Sequence, residues 1–474
     1  MHSFFNPLML SRWQFAITTL FHMLWPLLSI GLGVFLVVSE AAWLKTGNEL
    51  YYRHTRYWGK LFLLAFGVGV ASGVPLEFQF GTNWARFSHA SGDFFGNILG
   101  YEGAMAFMLE AAFLGIMVFA WNRVSRKVHM LATVFVAFGA SLSAFWIMDA
   151  NAWMQAPAGI KMVHGKAVIT NYVAAVFNPA WAYSFTHMWV AAVETSLFFV
   201  AGVSAWCILR KRHTEFFLKS FKAAVVLAIV VTPLQIYLGD LSARRVAQLQ
   251  PAKTAAMEAH WNTNPPGQGA SWSLIAWPDK AHQKNAWQVN IPGVLSLLTT
   301  HSLTGQVKGL KAFPRNDQPP IVLPFYCFRI MVGIGFAMFA LMLWALWQWR
   351  RGKLSLDQAG RSRWFWRAWV WAIPLGFIAT DLGWIVREVG RQPWVLYGIL
   401  RTRNGVSHLG TVAPAVTLFL YAGIYLGLLI FFIVFARGIV LKGPDLQSPL
   451  PAPQTPPGRR PGTPPASGPN KGEL

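Results

Sequence analysis

Cysteine is nearly missing. Cys207 and Cys327 are the only two in 474 residues, and both lie in or beside apolar segments, so neither a disulfide framework nor a zinc site is expected. Acidic residues are scarce as well, 18 Asp and Glu against 40 Lys and Arg, and charged residues of both signs make up 12% of the chain. A soluble domain carries about 25%. The formal charge of +22 would suggest nucleic acid in a soluble protein. Here much of it sits in short loops beside apolar runs, where it sets membrane orientation, and no nucleic-acid partner is expected. The first apolar run lacks a small-residue cleavage site and reads as a retained helix rather than a signal peptide.

What is abundant is apolar: 54% hydrophobic and 15% aromatic residues. The chain reads as an all-α polytopic membrane protein with about nine spans, at 15–38, 58–78, 97–121, 128–150, 183–209, 218–239, 324–349, 366–388 and 412–436. Lys45, Arg53, Arg56 and Lys60 follow the first span, and only Arg86 separates the second from the third. Basic clusters recur at Arg123–Lys127, Arg210–Lys219 and Arg350–Arg363. The positive-inside rule then puts the N-terminus outside, which is the periplasm if the membrane is a bacterial inner one, and the C-terminus in the cytoplasm. Four units result: six spans over 1–239, a periplasmic segment at 240–323, three more spans over 324–440, and a proline-rich tail at 441–474 expected to be disordered.

Ionisable and metal-ligating side chains within these spans are few, and several share one depth. His22, His187, Met331 and Glu388 all fall in the outer half of their spans. Charges at such depth are usually functional. Imidazole and thioether are axial ligands of haem iron, and one of each makes a six-coordinate, electron-transferring low-spin haem. His187 and Met331 suit that pair, while His22 and Glu388 suit five-coordinate haems with a position open to a gas. Arg12, Arg329 and Arg391, near span ends, suit haem propionates. Read singly, each of these residues is ordinary packing; the signal lies in the constellation. Of the twelve histidines, only His22, His129 and His187 fall within predicted spans, with His129 at the cytoplasmic border in reach of water.

Glu102 and Glu110 lie eight residues apart, about 12 Å along a helix and about 80° around it. Such carboxylates can relay protons, and Ser143 and Asn151 would extend the path.

Five motifs, in order, carry a family resemblance: Leu10-Ser-Arg-Trp-Gln-Phe15 with His22, Gly100-Tyr-Glu102 with Glu110, Gly239-Asp240 with Gln250-Pro-Ala-Lys-Thr-Ala-Ala-Met-Glu-Ala259, Phe328-Arg-Ile-Met-Val-Gly-Ile-Gly335, and Gly383 to Trp394. Together they resemble subunit I of the cytochrome bd-type quinol oxidases, over residues 1–440. The resemblance implies a low-spin haem b on His187 and Met331 with Arg329 close by. It also implies two high-spin haems served by His22 and Glu388, one of them haem b and the other haem d or a further haem b, with the pairing left open. Trp384 and Arg391 would join that cluster, Lys253 and Glu258 would serve quinol, and Glu110, Glu102 and Ser143 would deliver protons for O2 reduction. Expected partners are membrane lipid, a second subunit and small single-helix subunits. The short segment after Trp261 resembles the branch containing cyanide-insensitive oxidases. Two other classes fit parts of the pattern: a haem-free ion transporter using the buried charges, and a haem-b cytochrome passing electrons onward. A haem-copper oxidase would need three further clustered histidines that the spans do not supply.

Overall fold

The computed structural model describes residues 6–359 and 361–451. Among them, nine helices are long and apolar enough to cross a membrane. They run Pro7–Thr46, Glu49–Thr82, Ala85–Phe119, Arg126–Gln155, Trp181–Leu209, Thr214–Leu249, Val322–Arg350, Arg363–Val389 and Val412–Lys442, and are called the first to ninth spans. Most are longer than the sequence windows, because hydropathy marks only the hydrocarbon-facing part. The first span, at 40 residues, would be about 60 Å long against a hydrocarbon core of about 30 Å.

Two expected boundaries move for this reason. The sixth span continues past 239 to Leu249, so Asp240 is helical and pairs with Arg244 one turn on, at 2.8 Å. The ninth runs to Lys442 and ends on Gly443 at φ +76°. The tail expected to be disordered therefore starts inside a helix, and from 452 onward it lies outside the described residues.

Local chemistry starts and stops the helices. The Asn6 side chain accepts the Met9 backbone N–H at 2.8 Å ahead of Pro7, and the first span ends on Gly47 at φ +67°, as capping requires. The third span is interrupted by a π-helical turn at Glu102–Phe107, a feature frequent at functional sites. Its wider pitch invalidates the even 100° per residue assumed for Glu102 and Glu110.

The first and fifth spans form the centre, with 61% and 89% of their most apolar windows buried, whereas the ninth has 6%. Such an outer face suits lipid or another subunit. Small residues draw the central helices together: a Cβ built on Gly31 would stand 2.4 Å from Ser196 Cβ and 2.5 Å from the Ala192 carbonyl oxygen.

With nine spans, the two ends of the bundle alternate along the chain. One end carries the elaborated connections. These include a hairpin of Ile160–Val163 with Lys166–Ile169 and one of Trp394–Leu396 with Leu400–Arg401. The segment expected to form a long loop is ordered: a short helix Pro251–Met257, an antiparallel hairpin Trp272–Asp279 with Lys284–Ile291, and a helix Val294–Thr300. The opposite end has the short basic turns.

The central contact predicts opposite results for two glycines. Gly31→Ala would drive a methyl into a backbone carbonyl, costing about 1–3 kcal/mol. Gly67→Ala, where a built Cβ meets nothing within 4 Å, should gain about 0.5–1 kcal/mol of helix propensity. Thermal melts in detergent should show the first variant below the wild type and the second level with it or above.

Candidate active site

Trp384, Arg387 and Glu388 follow i, i+3, i+4 spacing, so the end of the eighth span presents them on one face, and Arg391 reaches the same cluster from the turn just beyond Val389. Asn151 and Gln155, at the end of the fourth span, donate to Glu388 Oε1 at 3.0 and 3.1 Å. Arg391 pairs with Glu388 Oε2 and also donates to the Val395 carbonyl at 2.7 Å. Arg387 donates to Asn151 Oδ1 at 2.5 Å and Ser184 Oγ at 3.0 Å. The short helix adds Lys253, whose Nζ donates to Gln155 Oε1 at 3.1 Å and to the Arg387 carbonyl at 2.7 Å.

The cluster thus holds three cations and one carboxylate, with Lys253 3% and Arg391 4% exposed. An unbalanced buried charge is expensive unless an anion joins it. Several guanidinium nitrogens are buried without a hydrogen-bond partner: Arg387 Nη2, Arg391 Nε and, nearby in sequence to Met331, Arg329 Nη1. Burial holds the Lys253 ammonium well below the usual lysine range, and Arg387 and Arg391 push the same way against Glu388.

The expected haem ligands occupy separate helix interfaces. His22 meets the second span, its Nδ1 3.0 Å from Ser72 Oγ. Ser72 Oγ also lies 3.0 Å from the Gly69 carbonyl; with its proton given there, Nδ1 of His22 would be the donor and Nε2 would keep its lone pair. His187 faces Gly239 of the sixth span, where a Cβ would lie 3.4 Å from its Cε1, and Met331 Sδ would be 3.1 Å from a Cβ on Gly383. Nδ1 of His187 is buried without a partner. Trp384 packs with Met23, next to His22, and with Met148, Phe185 and Met188, next to His187. It stands between the two histidine regions.

Arg329 joins the seventh span to the ordered segment. It pairs with Glu258 at 2.5 Å, donates to the Ser273 carbonyl at 2.8 and 3.0 Å, and lies 4.6 Å from the Trp272 ring centre. Lys253 and Glu258 are therefore buried, not carried on a solvated helix. On the outer side of Pro251–Met257 opens a cleft of about 400 Å³ lined by Gln248, Pro251, Thr254, Thr300 and Val307, within the usual range for small-molecule sites. Arg12, near the start of the first span, has its guanidinium 3.9 Å from Met9 Sδ.

Glu102 and Glu110 both meet the fourth span, one turn apart. Ser143 donates to Glu102 at 2.8 Å, and Glu110 lies against Gly139, whose built Cβ would reach its Cγ at 2.5 Å. Asn151 does not extend this path from Ser143, since its amide is committed to Glu388 and Arg387. His129 does not reach water. It is 1% exposed, bonded to Glu40 at 2.6 Å and the Met117 carbonyl at 3.0 Å.

Sequence reading missed Arg387, Gln155 and Glu40. Arg387 was findable, being adjacent to Glu388 and on the stripe that starts at Trp384.

Nine apolar spans enclosing a cation-rich pocket, with imidazole and thioether donors set in glycine-faced interfaces, define a multi-pass membrane protein built to hold an anionic redox cofactor. A family model for cytochrome bd terminal oxidase subunit I matches residues 10–444. The chain is 36% identical to subunit 1 of the cytochrome bd-II ubiquinol oxidase of Escherichia coli strain K12, over 94% of this chain and 98% of that one. It is 38% identical to subunit 1 of the cytochrome bd ubiquinol oxidase of Bacillus subtilis strain 168, over 85% and 86% respectively. The bd oxidase structure from Geobacillus thermodenitrificans matches with a TM-score of 0.85 at 28% identity, covering 93% of this chain and 99% of that one. The chain belongs to the cytochrome bd terminal oxidase subunit I family. It is accordingly a haem protein of the bacterial inner membrane that works with a second subunit.

The residues present fit haem. The unpartnered guanidinium nitrogens suit carboxylate propionates, and Gly239 and Gly383 leave clear the space beside His187 and Met331 that a methyl would enter.

Lys253 gives the cluster a pH signature. Its folded pKa is depressed, so between that value and the unfolded value near 10.4 the unfolded chain binds more protons, and stability rises with pH. Compared with Lys253→Met, the wild type should gain melting temperature as the buffer is raised from pH 7 toward pH 10. A gap between the two that stays constant would contradict the depressed pKa.

Proposed function

We propose that this chain oxidises quinol at its 250–321 segment and reduces O2 to water at a high-spin haem, drawing protons from the opposite side and generating proton motive force without a pump. The buried surplus of cations around Glu388, next to the segment that carries Lys253, is the observation that supports this best. The named relatives are ubiquinol oxidases, which favours quinol as the electron donor. Family membership favours the oxidase over the transporter and the simple electron-transfer cytochrome.

Each residue then has a task. Lys253 would orient the quinol headgroup beside the cleft and Glu258 would receive its protons, and the Glu258–Arg329 pair ties that segment to the helix bearing Met331. His187 and Met331 would hold the low-spin haem b, while His22 through Nε2, and Glu388, would serve the two high-spin haems. When bound, the haems supply stepwise electron transfer and O2 binding. Arg391, Arg387 and Arg329 would hold propionates and offset their charge, with Arg12 a further candidate. Trp384 fills the space between the histidine regions and keeps water out.

Two quinols release four electrons and four protons, which balances O2 going to two waters. Glu110 and Glu102, with Ser143 holding Glu102 in place, would pass the consumed protons inward from the cytoplasmic side. Releasing quinol protons on one side and taking up the others from the opposite side separates charge with no conformational step. A second subunit, and small single-helix subunits, would cover the exposed apolar faces of the third and ninth spans.

Met331→Leu keeps the volume but removes the sulfur. The reduced spectrum should lose low-spin haem signal with the high-spin signals largely retained, and an unaltered spectrum would refute the ligand assignment. Glu258→Ala should lower quinol oxidase turnover or raise the quinol KM with haem content intact. Loss of all haem in that variant would make Glu258 a structural residue instead.

A further inference from the structure

Gln155 closes the fourth span, is 3% exposed, and touches three residues from two other segments through one amide. Its Oε1 accepts from Lys253 Nζ at 3.1 Å and Gln250 Nε2 at 3.0 Å. Its Nε2 donates to Glu388 Oε1 at 3.1 Å. Gln250 Nε2 also reaches the Gln155 backbone carbonyl at 2.6 Å. The amide orientation follows from the partners. An ammonium only donates, so the carbonyl end must face Lys253, and the NH2 end is left for the carboxylate.

The surroundings hold this contact tightly. Lys253 makes its other bond to the carbonyl of Arg387, the residue before Glu388. A Cβ on Gly390 would lie 2.9 Å from the Lys253 side chain, so the short helix rests directly on the end of the eighth span. Gln155 is the one neutral side chain hydrogen-bonded to both Lys253 and Glu388 among the described residues.

We propose that Gln155 is a positioning residue that couples the 250–321 segment to Glu388, setting the hydrogen bonding of that carboxylate according to whether Lys253 is seated. The inference rests on the oxidase reading, since it joins the segment assigned to quinol to the carboxylate assigned to a high-spin haem. If Lys253 is drawn toward a ligand, the Gln155 carbonyl loses a charged donor. A buried acceptor left unpaired costs about 1–3 kcal/mol, enough to favour rotation of the amide, and rotation withdraws its NH2 group from Glu388. Coupling of this kind appears as non-additivity between two substitutions.

The test is a double-mutant cycle on the purified, haem-loaded oxidase complex, using wild type, Lys253→Met, Gln155→Met and the double variant. Methionine matches the length of glutamine, is one atom shorter than lysine, and removes the side-chain hydrogen bonds of either residue to Glu388, Arg387 and each other. The readouts are the absorption bands and midpoint potential of the high-spin haems. Lys253→Met should shift both in the wild-type background, and the shift should be clearly smaller when Gln155 is already methionine, the remainder being the direct effect of the lysine charge on Glu388. An equal shift in both backgrounds overturns the coupling and leaves the oxidase reading standing, as does no shift in either. Absence of haem from the wild type overturns the oxidase reading and the coupling together. Should Gln155→Met fail to accumulate, Gln155→Leu serves in its place: it removes both the acceptor for Lys253 and the donor to Glu388, so the shift should again be reduced.

Discussion

Buried charge around Glu388 is the constraint on which the loop end of this bundle depends. One carboxylate shares its pocket with its sequence neighbours Arg387 and Arg391 and with Lys253, and the other polar partners come from segments that would otherwise have no reason to meet. Asn151 and Gln155 end the fourth span, Ser184 begins the fifth, and Lys253 is brought in by the short helix after the sixth. Removing Glu388 would leave three cations without their carboxylate at low dielectric, a larger penalty than loss of an exposed ion pair could cause. The cluster therefore fixes the relative position of the fourth, fifth and eighth spans and of the ordered segment.

Much of this was legible in the sequence. Long apolar windows gave all nine spans, because a membrane-spanning helix must satisfy its own backbone and its side chains record the solvent it faces. Glu388 and Arg391 stood out for the complementary reason, as charges where the window should be apolar. Asn151 and Gln155 were harder, since a window ending at 150 left both in a connection. Neutral amides also carry no hydropathy signal of their own. Lys253 was expected to serve quinol, but its burial is purely tertiary: only the folded chain shows the short helix lying on Gly390. The π-helical turn at Glu102–Phe107 had no signature at all, and it changes which way Glu102 points relative to Glu110.

Helix length has a further consequence. Spans that outrun the hydrocarbon carry their side chains into the region where the connecting segments fold, so the end of the fourth span can hydrogen-bond to Gln250 and Lys253. A bundle trimmed to hydrocarbon thickness would leave the 250–321 segment without that anchorage. Arg329 acts similarly on the seventh span. It places one guanidinium among Glu258, Ser273 and Trp272, so the hairpin and the short helix share a support with the helix that bears Met331.

Satisfaction of hydrogen bonds separates the buried histidines more sharply than burial does. His129 has a partner on each ring nitrogen, Glu40 and the Met117 carbonyl, with Thr133 holding the other carboxylate oxygen of Glu40 at 2.6 Å. His54 spends Nε2 on the Phe216 carbonyl at 3.3 Å and packs on the Phe216 ring. Both read as ties between helices at the end opposite the charged cluster. His22 instead has Nδ1 beside Ser72, and His187 has Nδ1 buried with no partner and a glycine opposite. Buried polar groups in folded proteins are nearly always paired. The bundle commits His54 and His129 to ties between helices at one end, and at the other leaves His187 with an unpartnered ring nitrogen where the proposed haem would bind.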